Sequence, residues 1–194
     1  MAATLAAFVL LTAACSPAPV LHSPQQGAAI QDIHHYDDDW FAAARLGRTD
    51  ILQALLDAGY PIDGTTSQGY TGLILAAYDE EPQAMEFLLG HGANPCLGDR
   101  NGNTALMGAI FKGELAIARR LMTTSCSIDQ TNNAGETALS FAALFGRLDL
   151  LPELVARGAN PNHVDARGGT ALRMATMQGN HEAVDALNRV GASR

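Results

Sequence analysis

The stretch Gly135–Gly158, with the sequence GETALSFAALFGRLDLLPELVARG, decides the fold, because the rest of the chain repeats it with a constant, 33-residue period. The recurring openings are Gly69, Gly102, Gly135 and Gly168, followed two residues later by Thr71, Thr104, Thr137 and Thr170. Five alanines and five leucines recur in the same way, namely Ala43, Ala76, Ala109, Ala142, Ala175, Leu55, Leu88, Leu121, Leu154 and Leu187. The period therefore predicts five repeats, the first of which lacks its opening loop.

Each repeat is predicted to contain two short helices. The hydroxyl of Thr137 can accept a hydrogen bond from the first turn of a helix that runs to about Phe145. A second helix, from Leu148 to about Ala156, carries apolar residues at spacings of three and four, which places them on one face. Gly158 then suits the left-handed conformation that ends a helix.

A pair of short helices cannot bury its own apolar face, so neighbouring repeats must stack around a shared core. From about Tyr36 onward, the period, the Gly-x-Thr-x-Leu openings and closing segments such as Leu88–Asn94 (LLGHGAN) resemble the ankyrin repeat family. The resemblance implies an all-α solenoid of five helix-turn-helix units with extended loops, within a domain at 34–194. The expected repeats are 36–64, 66–98, 99–131, 132–164 and 165–194.

The N-terminal segment is interpreted as an export signal with a lipobox-like cleavage site at residues 1–15. Residues 1–14 form an uncharged apolar run that is too short for a permanent transmembrane helix. The segment LTAAC at 11–15 resembles a bacterial lipobox, in which Cys15 is lipidated, and Ser16 favours the outer membrane. Residues 16–33 are expected to form a flexible tether, and the location is the periplasm. An ordinary cleaved signal and a buried N-terminal helix are the alternatives.

The segment before the first helix carries His34, His35 and three consecutive aspartates at 37–39. Asp38 lies one period before Thr71, so we expect it to cap the first helix, with acidic neighbours stabilised by the helix dipole. The alternative is a metal or haem site formed by these histidines and aspartates, which would need further ligands.

The charge distribution indicates the kind of partner. Residues 15–99 contain 12 acidic residues and 2 arginines, a net charge of −10, whereas residues 100–194 contain 8 acidic and 10 basic residues, a net charge of +2. The acidic half disfavours nucleic acid and could steer a basic partner. The turn between the two helices of the second repeat, which lies in this acidic half, also departs from the repeat pattern. It has Asp79-Glu80-Glu81-Pro82 in place of the usual glycine.

No catalytic motif or zinc-ligand spacing is found, so we expect no enzymatic activity, no metal and no cofactor. Besides Cys15, the chain contains only Cys96 and Cys126. A periplasmic location would permit a disulfide between these two residues.

The resemblance implies a protein-binding scaffold that uses its loop tips and the inner helices of its concave face. We expect the partner-binding strip to consist of Tyr70, Tyr78, Phe111, Lys112, Leu144, Phe145 and Met177. The alternative is that these side chains extend the core laterally.

The expected partner is another protein, bound by a monomeric chain that reaches the membrane through its lipid anchor. Two specific roles are open. One is an accessory factor for a periplasmic enzyme, because the architecture is similar to that of small exported ankyrin proteins associated with catalases in oxidative-stress defence. The other is an immunity protein that neutralises a toxin.

Overall fold

The structure is a computed structural model that describes residues 33–193. Within this range a short 3-10 helix at Ile33–Tyr36 precedes ten α-helices, and the only strand-like pairings are two isolated β-bridges. The helices are α1 (Asp37–Arg45), α2 (Thr49–Asp57), α3 (Gly72–Tyr78), α4 (Pro82–Gly90), α5 (Ala105–Lys112), α6 (Leu115–Leu121), α7 (Ala138–Leu144), α8 (Leu150–Ala156), α9 (Ala171–Met177) and α10 (His181–Arg189). The predicted all-α repeat solenoid is confirmed, whereas the export signal, Cys15 and the tether up to residue 32 lie outside the described residues. None of the described helices has the length and apolar character that a membrane crossing requires.

The odd-numbered helices stack on one another in chain order, and each packs on the even-numbered helix that follows it. All ten alanines and leucines of the periodic pattern are buried between these two layers. The small alanines allow neighbouring helices to approach closely, and the leucines fill the space between the layers.

The four predicted threonines begin the inner helices. Each hydroxyl of Thr71, Thr104, Thr137 and Thr170 accepts a hydrogen bond from the backbone N–H three residues later, at 3.2 to 3.4 Å. This bond satisfies one of the free donors of the first turn.

Two helix boundaries of the fourth repeat differ from the prediction. The inner helix of the fourth repeat ends at Leu144, with Phe145 as its C-cap, and the outer helix begins at Leu150 rather than Leu148. Pro152 has no N–H that could bond to the carbonyl of Leu148 in α-helical fashion, and Leu151 N–H donates to that carbonyl instead.

The start of the first repeat corrects the expectation for Asp38. Helix α1 begins at Asp37, and its N-cap residue, Tyr36, makes no side-chain cap. The preceding 3-10 helix runs directly into α1, so the chain is already helical where an extended cap residue would stand. Asp38 instead lies in the first turn together with its two neighbours, where the helix dipole stabilises negative charge.

The loop tips of successive repeats form a ladder of backbone hydrogen bonds. Arg100 N–H donates to Gln68 O at 2.9 Å, and equivalent bonds join Asn133 to Asn101 and Ala166 to Ala134. The ladder holds the extended loops side by side along the stack.

Neighbouring repeats are also joined on the connector between an outer helix and the next loop. The carboxylate of Asp63 accepts from Asn94 N–H at 3.0 Å, and the same bond recurs from Asn160 N–H to Asp129 and from Ser193 N–H to Asn162. Positions 63, 129 and 162 belong to one periodic series, whose remaining member is Cys96. A thiol is a poor acceptor for this bond, and a different link takes its place.

That link is a disulfide. The structure joins Cys96 to Cys126, with a Cα separation of 5.3 Å, so it brings together the pair that the sequence singles out. Cys126 occupies the position at which three other repeats have a buried alanine, whose backbone N–H donates to a carbonyl near the end of the outer helix. In the repeat of Cys126, the hydroxyl of Thr124 donates to the carbonyl of Leu121 at 2.7 Å instead.

Candidate partner-binding groove

Three aromatic rings from successive repeats contact one another at the C-terminal ends of the inner helices. The rings of Tyr78 and Phe111 stack with their centroids 6.1 Å apart, and Phe111 meets Phe145 edge to face at 4.8 Å. Phe141 lies behind Phe145 at 5.5 Å. The rings therefore form a continuous apolar row across the second, third and fourth repeats.

This row forms one wall of a groove of about 320 Å³ between the inner helices and the loops. The groove is lined chiefly by Tyr70, Ile74, Tyr78, Met107, Phe111, Phe141 and Phe145, with Asn101 and Asn103 from a loop tip. Four residues of the predicted strip, Tyr70, Tyr78, Phe111 and Phe145, thus meet in one place.

The other residues of the predicted strip take different positions. Lys112 places its Nζ 4.7 Å from the centre of the Tyr78 ring. Leu144 lines a separate small cavity toward Met174 in the last repeat, and Met177 does not line the groove. The ring contacts pass from Phe111 to Phe145, which lies one residue beyond the periodic register and is the C-cap of helix α7.

Sequence reasoning missed Ile74, Met107 and Phe141 as groove residues. Ile74 and Met107 share one position of the period, a signal that could have indicated a common face. Phe141 has no aromatic equivalent in the other repeats, because Gly108 stands one period before it. Only the packing of Phe141 against Phe145 places it at the groove.

The groove wall is exposed where it meets solvent. Phe111 is 42% exposed, whereas Tyr78 and Phe145 are partly buried. Burying such rings against a partner would remove further apolar area from water.

One acidic residue, Asp99, lines the groove, and two others, Glu80 and Glu114, follow the groove residues Tyr78 and Phe111 in the sequence. Glu80 follows two residues after Tyr78, and Glu114 follows three residues after Phe111. Burial, and next the carboxylate of Glu80, raise the pKa of Glu114, although Lys112 and Arg147 favour its charged form. Asp79, in contrast, is paired with Arg45 at 2.7 Å.

The histidine and aspartate segment is organised by other contacts. Asp37 accepts a hydrogen bond from the Tyr60 hydroxyl at 2.6 Å, and His34 Nδ1 lies 3.3 Å from its other oxygen. Across residues 33–193, no three His, Cys, Asp or Glu side chains converge in a way that could hold a metal ion.

The comparison with known families agrees with this architecture. The sequence model of a family described as "Ankyrin repeats (3 copies)" matches residues 40–132 and 120–193, which together span more than half of the chain. Proteins built from such repeats act as scaffolds that bind other proteins. The chain belongs to the ankyrin repeat family, and its role is that of a protein-binding scaffold.

Proposed function

We propose that this protein holds a periplasmic enzyme, such as a catalase, through the aromatic groove, as an accessory factor anchored in the cell envelope. The observation that carries the binding role is the row of Tyr78, Phe111 and Phe145, which presents partly exposed rings beside the loop tips. Aromatic side chains in such positions are enriched among the residues that dominate interface energies.

The folding of a repeat does not require these rings. The alanines and leucines of the periodic pattern already fill the space between the helix layers, and the first repeat has Arg45 where the next two have Tyr78 and Phe111. A large apolar side chain at this position is therefore better explained by a partner than by the core.

The exported location is supported by the lipobox-like segment that ends at Cys15 and by the disulfide of Cys96 with Cys126. Disulfides persist in oxidising compartments such as the periplasm and are rare in the cytosol. In the proposed location, a lipid on Cys15 would anchor the protein to the membrane. Cys15→Ala should accordingly move the protein from the membrane fraction to the soluble periplasm.

Co-purification from periplasm tests the proposal. The tagged full chain and its Phe111→Ala and Val164→Ala variants are isolated in parallel, since Val164 is 52% exposed but lies outside the groove. We expect a periplasmic enzyme to accompany the wild type and Val164→Ala but not Phe111→Ala, with a loss of about 2 kcal/mol or more in binding. Recovery of a toxin would contradict the accessory role, and recovery that does not depend on Phe111 would contradict the groove.

A further inference from the structure

Resting on the proposed function, we propose that the groove seats one aromatic side chain of the partner, a Phe, Tyr or Trp, directly above Gly108. Gly108 is then a specificity-determining residue, because a side chain at this position would occupy the space that the partner's ring needs. The inference deepens the proposed function, since it names the group that the groove accepts and the residue that leaves room for it.

The first observation is that the fold does not require a glycine at position 108. Gly108 lies within helix α5, its backbone N–H donates to Thr104 O at 3.0 Å, and its φ is outside the left-handed region. Beyond the local backbone, a Cβ here would meet one atom within 4 Å, Cδ2 of Tyr78 at 3.8 Å, which is an ordinary van der Waals contact. Glycine inside a helix is less stable than alanine, and neither backbone conformation nor a close contact explains its presence here.

The second observation is that every other repeat has a side chain at this position, namely Ala42, Leu75, Phe141 and Met174. Between the fourth and fifth repeats, where Phe141 and Met174 both line the gap, the remaining space is a cavity of about 30 Å³. The groove that Gly108 lines has about 320 Å³. The missing side chain of the third repeat is therefore the difference that opens the groove at this place.

The third observation is that the walls of this space are aromatic. Tyr78 and Phe111 stack on one another with their centroids 6.1 Å apart, and Phe141 and Phe145 meet at 5.5 Å in the next repeat. All four line the groove together with Gly108, and the 42% exposure of Phe111 leaves ring surface to be buried. Aromatic rings attract one another in offset and edge-to-face arrangements, which favours an inserted ring over an aliphatic side chain.

The charge of the lining favours a neutral group. Asp99 is the one charged residue among those that line the groove, and its carboxylate is already bonded within the loop tip. It accepts from the backbone N–H groups of Asn101 at 2.8 Å and Asn103 at 2.9 Å, and from the side-chain amide of Asn103 at 3.3 Å. A Lys or Arg among the rings would lose its hydration without a free carboxylate as its partner, whereas an uncharged ring would not.

Selection from a phage-displayed library of random dodecapeptides on the immobilised full chain provides the probe. We expect the enriched peptides to share one Phe, Tyr or Trp, whose replacement by alanine in a synthetic copy lowers the affinity about tenfold or more. This peptide is then titrated by calorimetry against the wild type, Gly108→Ala, Gly108→Leu and Phe111→Ala. Gly90→Ala is the matched control, because Gly90 is also helical and has nothing within 4 Å of a Cβ, but it is exposed and lies outside the groove.

Gly108→Ala should weaken peptide binding about fivefold or more, and Gly108→Leu about fiftyfold or more, because the added groups take the place of the ring. Gly90→Ala should leave the affinity unchanged. Both alanine variants should melt at or above the wild-type temperature, since alanine is the better helix former, so the loss of affinity is not a loss of folding.

A size exchange tests for direct contact between position 108 and the peptide. A peptide whose aromatic residue is shortened to leucine should bind the wild type more weakly than the parent peptide does. Gly108→Ala should bind the two peptides nearly equally, because the added methyl group and the lost ring volume compensate each other.

Two contrary results separate this inference from the proposed function. Peptides that depend on Phe111, yet bind Gly108→Ala and Gly108→Leu as tightly as the wild type or rely on an aliphatic or charged residue instead of a ring, overturn the inference and leave the groove as a binding site. Failure to enrich any peptide whose binding depends on Phe111 counts against both.

Discussion

At the scale of single residues, one side chain organises each loop tip. The oxygens of Thr66, Asp99, Asn132 and Asp165 stand one period apart, and each accepts backbone N–H bonds from the residues two and four positions later. Thr, Asp and Asn can all fill the position, because each carries an acceptor oxygen close to Cβ. The oxygen is one bond from Cβ in Thr and two bonds from Cβ in Asp and Asn. The position therefore requires an acceptor, and charge is optional.

The pH dependence of the free energy of unfolding, compared between Asp and Asn at position 165, tests this interpretation. The backbone N–H of Gly169, and then that of Arg167, lower the pKa of Asp165 from its usual value. A carboxyl whose pKa is lower in the folded state contributes stability that is present above its unfolded pKa of about 3.9 and is lost as the pH falls through the folded pKa. Asp165→Asn should keep the loop folded and lose less stability between about pH 5 and pH 2 than the wild type does.

Urea unfolding followed by circular dichroism at a series of pH values measures this difference. Thr66→Ser is the control, because it keeps an uncharged acceptor at the equivalent loop tip of the second repeat and should leave the pH slope unchanged. Identical pH slopes for the wild type and Asp165→Asn would show that the carboxylate gains nothing from these backbone donors.

At the scale of the elements, the disulfide stands where the other repeats use a hydrogen bond. Asp63, Asp129 and Asn162 each accept from a backbone N–H located 31 residues later, and Cys96 is bonded to Cys126, located 30 residues later. In the second repeat, the Gly92-Ala93 pair follows the outer helix α4. The third repeat has Ser125 and Cys126 at these positions. In the third repeat, the disulfide thus takes the place of both the recurring hydrogen bond and the Gly-Ala helix ending.

Replacing both cysteines by serine should lower the free energy of unfolding by about 3 to 4 kcal/mol, the value expected for a closed loop of this length. The triple variant Cys96→Asp, Ser125→Gly, Cys126→Ala introduces the residues that other repeats have at these positions. It should recover at least about 1 kcal/mol of that loss by re-forming the hydrogen bond and the helix ending. Denaturant unfolding of the three proteins decides the matter, and equal stability of the triple and the double-serine variants would show that the disulfide has no such counterpart.

The elements also show how far the sequence could predict the fold. The period was sufficient for the number, order and type of the helices, because burial of the recurring alanines and leucines depends on that spacing alone. The boundaries at Asp37 and Leu150 depend on local chemistry instead, namely a preceding 3-10 helix and the missing N–H of Pro152. The groove was predictable only in part, since the Phe111 to Phe145 contact departs from the period and Phe141 has no counterpart in it.

At the scale of the whole molecule, each repeat contacts chiefly its neighbours, so the ends of the stack depend on special residues. In the first repeat, Trp40 is fully buried and stacks on Tyr60 with the ring centroids 4.8 Å apart. Tyr60 stands where the second, fourth and fifth repeats have Ala93, Ala159 and Ala192. Its hydroxyl donates to Asp37, so the ring covers the first repeat and also fixes the start of α1.

Because stability is then a sum of local and nearest-neighbour contributions, damage to one end should remain largely at that end. Tyr60→Ala removes the ring that packs on Trp40 and the donor to Asp37, and should cost about 3 kcal/mol or more locally. Amide hydrogen exchange should therefore accelerate in α1 and α2 and remain close to wild type in α9 and α10. Leu187→Ala, which removes a fully buried side chain from α10, should produce the mirror-image pattern.

The disulfide between the second and third repeats should limit how far local unfolding spreads from either end. Adding a reductant should therefore carry the effect of Tyr60→Ala further into α3 and α4. Equal acceleration in all five repeats of both variants would instead mean that the stack unfolds as a single cooperative unit, and the division of its stability among neighbouring repeats would be wrong.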